Sequence, residues 1–223
     1  MRILTVFLLI IIFSSCKTDK GSKESAPEKP YTVPEKIARA HGFENWKNVK
    51  EIRFTFNVDR DTTHFERHWQ WNTKANEVTM ILAGDTISYS RNAIDSLAMK
   101  VDRGFINDKF WLLAPFNLMW DQGTQLDHIE TTTAPISGKT MQKLTVTYPT
   151  EGGYTPGDAY DLYFEDDYLI KEWVFRKANT PEPSLITTWE NHVNYNGILI
   201  ATDRNKDESN WKLYFTDIEV FTK

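Results

Sequence analysis

Glu51-Ile52-Arg53-Phe54-Thr55-Phe56-Asn57-Val58 places a large apolar side chain at every second position. Successive side chains of a β-strand point to opposite faces of the sheet. Ile52, Phe54, Phe56 and Val58 therefore share one face, and Arg53, Thr55 and Asn57 share the other. A helix would scatter these residues around its axis. The stretch reads as a strand with one face in the core and one toward water.

The same period extends outward on both sides. Phe65, Trp69 and Trp71 continue it, with Arg67 interrupting, and Val78, Met80 and Leu82 follow, then Ile87 to Ser90. Later come Leu144-Val146-Tyr148, Tyr160-Leu162-Phe164, Leu169-Trp173-Phe175, Leu185-Trp189-Val193, Ile198-Ile200 and Leu213-Phe215. Turn signals separate them: Ala83-Gly84-Asp85, Glu151-Gly152-Gly153, Glu165-Asp166-Asp167, Asn194 to Gly197 and Asp203 to Asn210. That makes about ten strands at near-hairpin spacing, an antiparallel meander. Between Phe215 and Ile218 the apolar positions change from odd to even, which predicts a β-bulge.

Asn92 to Ala114 breaks the strand period. Ala93, Ile94, Leu97, Ala98 and Val101 are helically spaced, and Phe105-Ile106 and Phe110-Trp111-Leu112-Leu113 follow before Pro115. The pattern predicts one helix and then a short second one. Val33 to Gly42 predicts another short helix, with Pro34 in its first turn and Gly42 at its C-cap. A one-sided sheet cannot leave its apolar face in water. The expected fold is mainly β with helices (α+β): a curved antiparallel sheet, an incomplete barrel, wrapped over the central helical insert.

The N-terminus reads differently. Met1 and Arg2 start a short positive region, Ile3 to Phe13 is apolar, and Ser14, Ser15 and Cys16 follow. This is the pattern of a secretory signal. Eleven apolar residues span about 17 Å as a helix, against a hydrocarbon core of about 30 Å, so the run is too short to cross. Cys16 is the only cysteine and sits where cleavage would expose it. Phe13-Ser14-Ser15-Cys16 resembles a bacterial lipobox, which implies acyl chains on Cys16 and a membrane as partner. Lys17 after Cys16 resembles outer-membrane sorting, with the leaflet and face left open. Residues 1–15 are then a leader, 16–34 the lipidated cysteine and a polar tether, and 35–223 one domain.

Composition narrows the function. Net charge is −5 (26 Lys and Arg against 31 Asp and Glu), which gives no reason to expect a nucleic-acid partner. A lone cysteine excludes intrachain disulfides and cysteine-based zinc sites. His64-x-Glu66-x-His68 is the most metal-like motif, but on a strand its two histidines stand about 13 Å apart, beyond the reach of one ion. It reads as a solvent-facing polar row. Glu165-Asp166-Asp167 with Asp158 and Asp161 lacks calcium-loop spacing and reads as a hairpin turn. No nucleophile elbow, phosphate loop or dinucleotide fingerprint is present, and no carboxylate pair stands out for glycoside hydrolysis. The expectation is a protein without catalysis, metal or cofactor.

The order of lipobox, tether, short helix, paired strands, helical insert and hairpins resembles the outer-membrane lipoprotein-sorting superfamily, the LolA/LolB-like fold, and is most similar to a group of Bacteroidetes lipoproteins. The resemblance rests on Ala40-His41-Gly42 with Trp46, Phe110-Trp111-Leu112-Leu113-Ala114-Pro115-Phe116, Tyr163-Phe164-Glu165-Asp166 with Leu169, and Asn194 to Ile198 containing Asn196-Gly197. It implies an incomplete barrel whose cavity takes an acyl chain or lipid-like ligand. Eight Trp are more than a core of this size requires, and the surplus is assigned to the cavity wall. The expected lining is Phe54, Phe56, Trp69, Trp71, Trp111, Leu113, Phe116, Trp120, Trp173 and Trp189. The second reading is a surface module that binds a glycan or a protein partner of the cell envelope through exposed aromatics.

Overall fold

The computed structural model describes residues 30–151, 155–206 and 209–223. The segments read as leader, lipidated cysteine and tether lie, as far as residue 29, outside the described residues.

Helix α1 (Val33–Ala40) starts at Thr32, whose backbone N–H and hydroxyl both donate to the Glu35 carboxylate, at 2.6 and 2.7 Å. This capping box satisfies an orphan donor of the first turn. Gly42 ends the helix at φ +86°, as its sequence position predicts. A short 3₁₀ helix (Phe43–Asn48) leads into the strands.

Four strands come first: β1 (Val49–Arg60), β2 (Thr63–Asn72), β3 (Glu77–Leu82) and β4 (Asp85–Ser90). Helix α2 (Ser96–Trp120) follows, then β5 (Gln125–Thr133), β6 (Thr140–Thr147), β7 (Ala159–Phe164), β8 (Ile170–Arg176) and β9 (Leu185–Thr188). The chain ends with β10 (Glu190–Tyr195), β11 (Ile198–Asn205) and β12 (Trp211–Thr222). Every pairing is antiparallel.

The expected meander is present, among the described residues, as twelve strands in a curved, unclosed arrangement. Its ladder divides into a seven-stranded sheet, β10-β11-β12-β1-β2-β3-β4, and a five-stranded sheet, β5 to β9. One residue, Trp189, separates β9 from β10, so a single extended segment passes from one sheet to the other. The Trp189 N–H donates to the Lys171 carbonyl at 2.7 Å, which holds the joint. The edge strands are β10 and β4 in the larger sheet and β5 and β9 in the smaller, and α2 connects β4 to β5.

Three sequence expectations meet specific outcomes. The bulge is on β12: Arg53 pairs Glu219 while Thr55 pairs Thr216, and Asp217 takes φ +50°. The segment read as one strand from Leu185 to Val193 is two, and β5 is an additional strand that period two did not reveal. The expected pair of helices is one kinked element, non-helical only at Leu113, and it runs past Pro115 to Trp120. Pro115 lacks an N–H, so the Trp111 carbonyl loses its helical donor. Helix α2 can continue because the Arg204 guanidinium donates to that carbonyl at 2.9 Å.

Helix α2 is packed on both sides. Phe105, Leu112, Leu113 and Phe116 meet Phe54, Phe56, Trp69, Trp71 and Phe215 of the larger sheet. Ala114 and Phe110 meet Leu144, Tyr160, Leu162 and Trp173 of the smaller sheet, with Ile37 of α1. Each fully buried side chain of this size contributes about 1.5–3 kcal/mol.

Candidate functional site

The smaller sheet and α2 flank a half-open cavity of about 1310 Å³. Ligand pockets run to about 1,000 Å³, so this one exceeds the usual drug-sized site. Met99, Arg103, Ile106 and Phe110 border it at spacings of four, three and four residues, one face of a helix. Asn117 and Trp120 continue the wall beyond the kink. Tyr148, Tyr160, Trp173 and Phe175 supply the opposite wall from β7, β8 and the end of β6.

The aromatic wall is one connected stack. Trp111 lies on Trp173 with ring centroids 4.6 Å apart and an interplanar angle of 29°. Phe110 contacts Tyr160 at 4.8 Å and Trp173 at 5.6 Å, and Tyr160 stacks on Phe175 at 5.2 Å. Offset and tilted geometries of this kind add about 0.5–1.5 kcal/mol per pair beyond area burial. The wall is therefore stiff and apolar.

Polar groups also line it, among them Arg91, Arg103, Lys109, Asn117, Asp121 and Asp158. The Tyr148 hydroxyl donates to Asp121 at 2.5 Å, and burial together with that carboxylate pushes its pKa up. Arg91 donates to the buried Asp102 at 2.7 Å. Lys109 donates to the Asn117 side-chain oxygen at 3.3 Å, and its ammonium lies 4.9 Å from the Trp120 ring centroid. Burial pulls the Lys109 pKa down to about 8 against the upward pull of Asp121 and Asp102.

Of the ten residues expected to line the cavity, Trp111, Trp120 and Trp173 border it. Phe54, Phe56, Trp69, Trp71, Leu113 and Phe116 are buried in the core between α2 and the larger sheet. Trp189 is buried at the joint between the sheets, under the Arg204 guanidinium at 3.4 Å. The sequence reading missed Ile106, Phe110, Tyr148, Tyr160 and Phe175. The helical spacing of Met99, Arg103, Ile106 and Phe110 was a usable signal. Tyr160 and Phe175 are cross-strand neighbours, a fact that only the register supplies.

The remaining motifs have ordinary partners. His64 contacts Asp59 at 2.7 Å and Glu66 at 3.4 Å, and both carboxylates raise its pKa. His68 contacts Thr55 at 2.7 Å. Among the described residues no group of three His, Cys, Asp or Glu is placed to hold a metal ion. Asp167 pairs with Lys171 at 2.7 Å, Asp161 with Arg176 and Thr145, and Asp158 accepts the Ala178 N–H.

No family model and no curated protein sequence matches this chain. Solved structures do match. A LolA-superfamily protein from Nitrosomonas europaea has a TM-score of 0.50 at 10% identity, over 86% of this chain and 93% of its own. A DUF1329-family protein from Desulfovibrio piger has a TM-score of 0.45 at 8% identity, over 84% and 91%. A Vibrio parahaemolyticus domain assigned to outer-membrane lipoprotein sorting has 0.44 at 11% identity, over 84% and 93%. The chain has the LolA-like fold expected from its sequence.

Proposed function

We propose that this protein is a lipid-anchored component of a bacterial cell envelope that binds an acyl chain or lipid-like molecule in the cavity between α2 and the smaller sheet. The observation that carries this reading is the cavity itself: about 1310 Å³ beside an unbroken aromatic stack of Trp111, Trp173, Phe110, Tyr160 and Phe175. Such a wall holds a ligand by removing apolar surface from water, about 0.8 kcal/mol for each CH₂ buried. Its aromatic pairs leave the rings little freedom to collapse into the space. The role is non-catalytic carriage or capture in lipid or lipoprotein handling.

The envelope address rests on the sequence of residues 1–16 and agrees with the LolA-like fold. Attachment would occur through acylated Cys16, with three chains exceeding the two-signal threshold for stable anchoring. Among the described residues no helix is long and apolar enough to cross a membrane. The alternative of a surface module has less support, because no Trp is exposed and the exposed aromatic rings among the described residues are the scattered Tyr31, Phe65 and Phe221.

Native mass spectrometry of the purified protein tests the proposal. Adducts of lipid mass that disappear on delipidation and return on addition of fatty acid are the expected result. A protein that stays adduct-free after incubation with fatty acids, alcohols and phospholipids overturns it.

A further inference from the structure

The sheet side of the cavity presents the rings of Tyr148, Tyr160, Trp173 and Phe175, with Glu151, Thr155 and Asp158 beside them, and the helix side carries a cation whose hydrogen-bond partner among the described residues is a neutral amide. Three basic residues border the cavity: Arg91, Arg103 and Lys109. Arg91 is committed to Asp102 at 2.7 Å, and Arg103 faces solvent. Lys109 differs from both. Its surroundings desolvate it, yet its hydrogen-bond partner among the described residues is the neutral amide oxygen of Asn117, at the long distance of 3.3 Å. The Trp120 ring adds a cation–π contact at 4.9 Å. A desolvated cation without a close carboxylate is costly, and in proteins such groups are usually paired.

Of the acids at the cavity, Glu151 is exposed, and the others accept hydrogen bonds from other groups. Asp121 accepts the Tyr148 hydroxyl, Asp102 accepts Arg91 and Tyr89, and Asp158 accepts the Ala178 N–H. Asp121 and Asp102 act on Lys109 through space. Lys109 has room for another acceptor, and the space in front of it is the cavity.

We infer that the cavity selects an anionic amphiphile: its carboxylate or phosphate head against Lys109, with Arg103 at the rim, and its alkyl chain along Phe110, Trp111, Trp173 and Phe175. This deepens the proposed function by naming the ligand class, and it rests on that reading. The head group completes the ammonium's hydrogen bonding, and charge-assisted bonds of this kind are the strong ones. An uncharged chain of equal length would bind by burial alone.

The test uses the delipidated full-length protein with dodecanoate, dodecanol and dodecyltrimethylammonium, each titrated by calorimetry. Dodecanoate is expected to bind about tenfold tighter than dodecanol, with the cation weakest. Lys109→Met should abolish the preference of dodecanoate over dodecanol. Lys109→Arg should retain the preference, and it serves if Lys109→Met does not fold. For the wild type, the preference should fall between pH 7 and pH 10 as the ammonium loses its proton. The groups that set that titration are Asp121 at the end of α2, Asp102 and Asn117 on α2, Arg91 after β4, and the Trp120 ring. Dodecanoate itself stays ionised across this range.

Equal affinity for dodecanoate and dodecanol, or a preference that survives in Lys109→Met, overturns the head-group assignment and leaves the cavity reading standing. Binding of none of the three overturns both. Phosphate-headed and carboxylate-headed sources are separated by repeating the titration with dodecyl phosphate.

Discussion

Arg204 donates through one guanidinium nitrogen to the Trp111 carbonyl at 2.9 Å, and that carbonyl is the one Pro115 leaves without a helical donor. A second nitrogen donates to the carbonyls of Ala201 and Asp203, at 2.9 and 3.0 Å. The guanidinium also lies 3.4 Å from the centroid of the Trp189 ring, which stacks on Trp111 at 6.4 Å. One buried side chain thus ties the helix kink to β11 and to the aromatic joint between the sheets. Replacing it removes a donor from three carbonyls, the Ala201 carbonyl in a buried bond and the other two part-buried.

Arg204→Met is therefore expected to destabilise the fold by about 3 kcal/mol or more, since each buried carbonyl left unpaired costs about 1–3 kcal/mol. Urea unfolding followed by far-UV circular dichroism measures the loss. The near-UV spectrum should weaken as well, because Trp111 and Trp173 lose their fixed stack. A stability within about 0.5 kcal/mol of wild type would refute the assignment of Arg204 as the donor that the kink depends on.

The Gly42 contact with Gly197 sets a second expectation. A Cβ on Gly42 would lie 1.9 Å from the Gly197 carbonyl oxygen, and Gly42 has φ +86°. The approach is held by Asn45, whose amide donates to that same oxygen at 2.9 Å, and by the Leu199 N–H on the His41 carbonyl at 3.0 Å. Gly42→Ala should cost about 3 kcal/mol or more through the clash and the left-handed backbone together. Gly138→Ala is the control: it has φ +68° with nothing within 4 Å, and should cost about 1 kcal/mol. Thermal melts of both variants read the difference, and equal shifts would show that the close approach carries no energy.

Much of this architecture was legible because burial and period coincide. Phe54, Phe56, Trp69 and Trp71 alternate in sequence because one face of β1 and β2 meets α2. The motifs behind the family resemblance also prove to be neighbours, His41-Gly42 beside Asn196-Gly197. β5 was illegible for the converse reason. Its residues are almost all exposed, so no apolar alternation was imposed on it. The cavity wall was only partly legible. Tryptophan count cannot separate Trp69, which fills a core and donates to Asp108 at 2.7 Å, from Trp173, which fills one side and borders space on the other. That distinction depends on register and on where α2 bends.

Acid should loosen α1 from β10. His41 and His192 lie with ring centroids 5.7 Å apart, and burial depresses both, His41 to about 3 and His192 to about 4. Nearby Arg204 lowers both further, and Lys171 lowers His192. In the unfolded chain both titrate near the ordinary value of about 6.5. Stability is thus fully present above pH 6.5 and is lost as pH falls toward 4, because the unfolded state binds protons first. The slope for His41 approaches about 1.4 kcal/mol per pH unit. Asp203 and Asp167 are held below their ordinary 3.8 and add their own losses only at lower pH. Denaturant midpoints at pH 7.5, 6.0 and 5.0 should fall progressively, and His41→Asn should flatten the dependence. A midpoint constant from pH 7.5 to 5.0 would contradict the buried neutral pair.

Short-range quenching can decide which tryptophans face the cavity. Trp111, Trp120 and Trp173 border it, whereas Trp69, Trp71 and Trp189 are buried elsewhere. A fatty acid brominated along its chain quenches only indoles that it touches. Loading the delipidated protein with such a probe should quench part of the emission and leave a residue from the core rings. In the double variant Trp111→Phe, Trp173→Phe the quenched fraction should fall sharply, because Phe keeps the apolar wall but removes the reporters. Trp69→Phe should leave that fraction essentially intact, although it costs stability by releasing the Asp108 carboxylate from the indole N–H. Bromine quenching that vanishes in Trp69→Phe and persists in the double variant would place the ligand against the larger sheet, on the opposite side of α2.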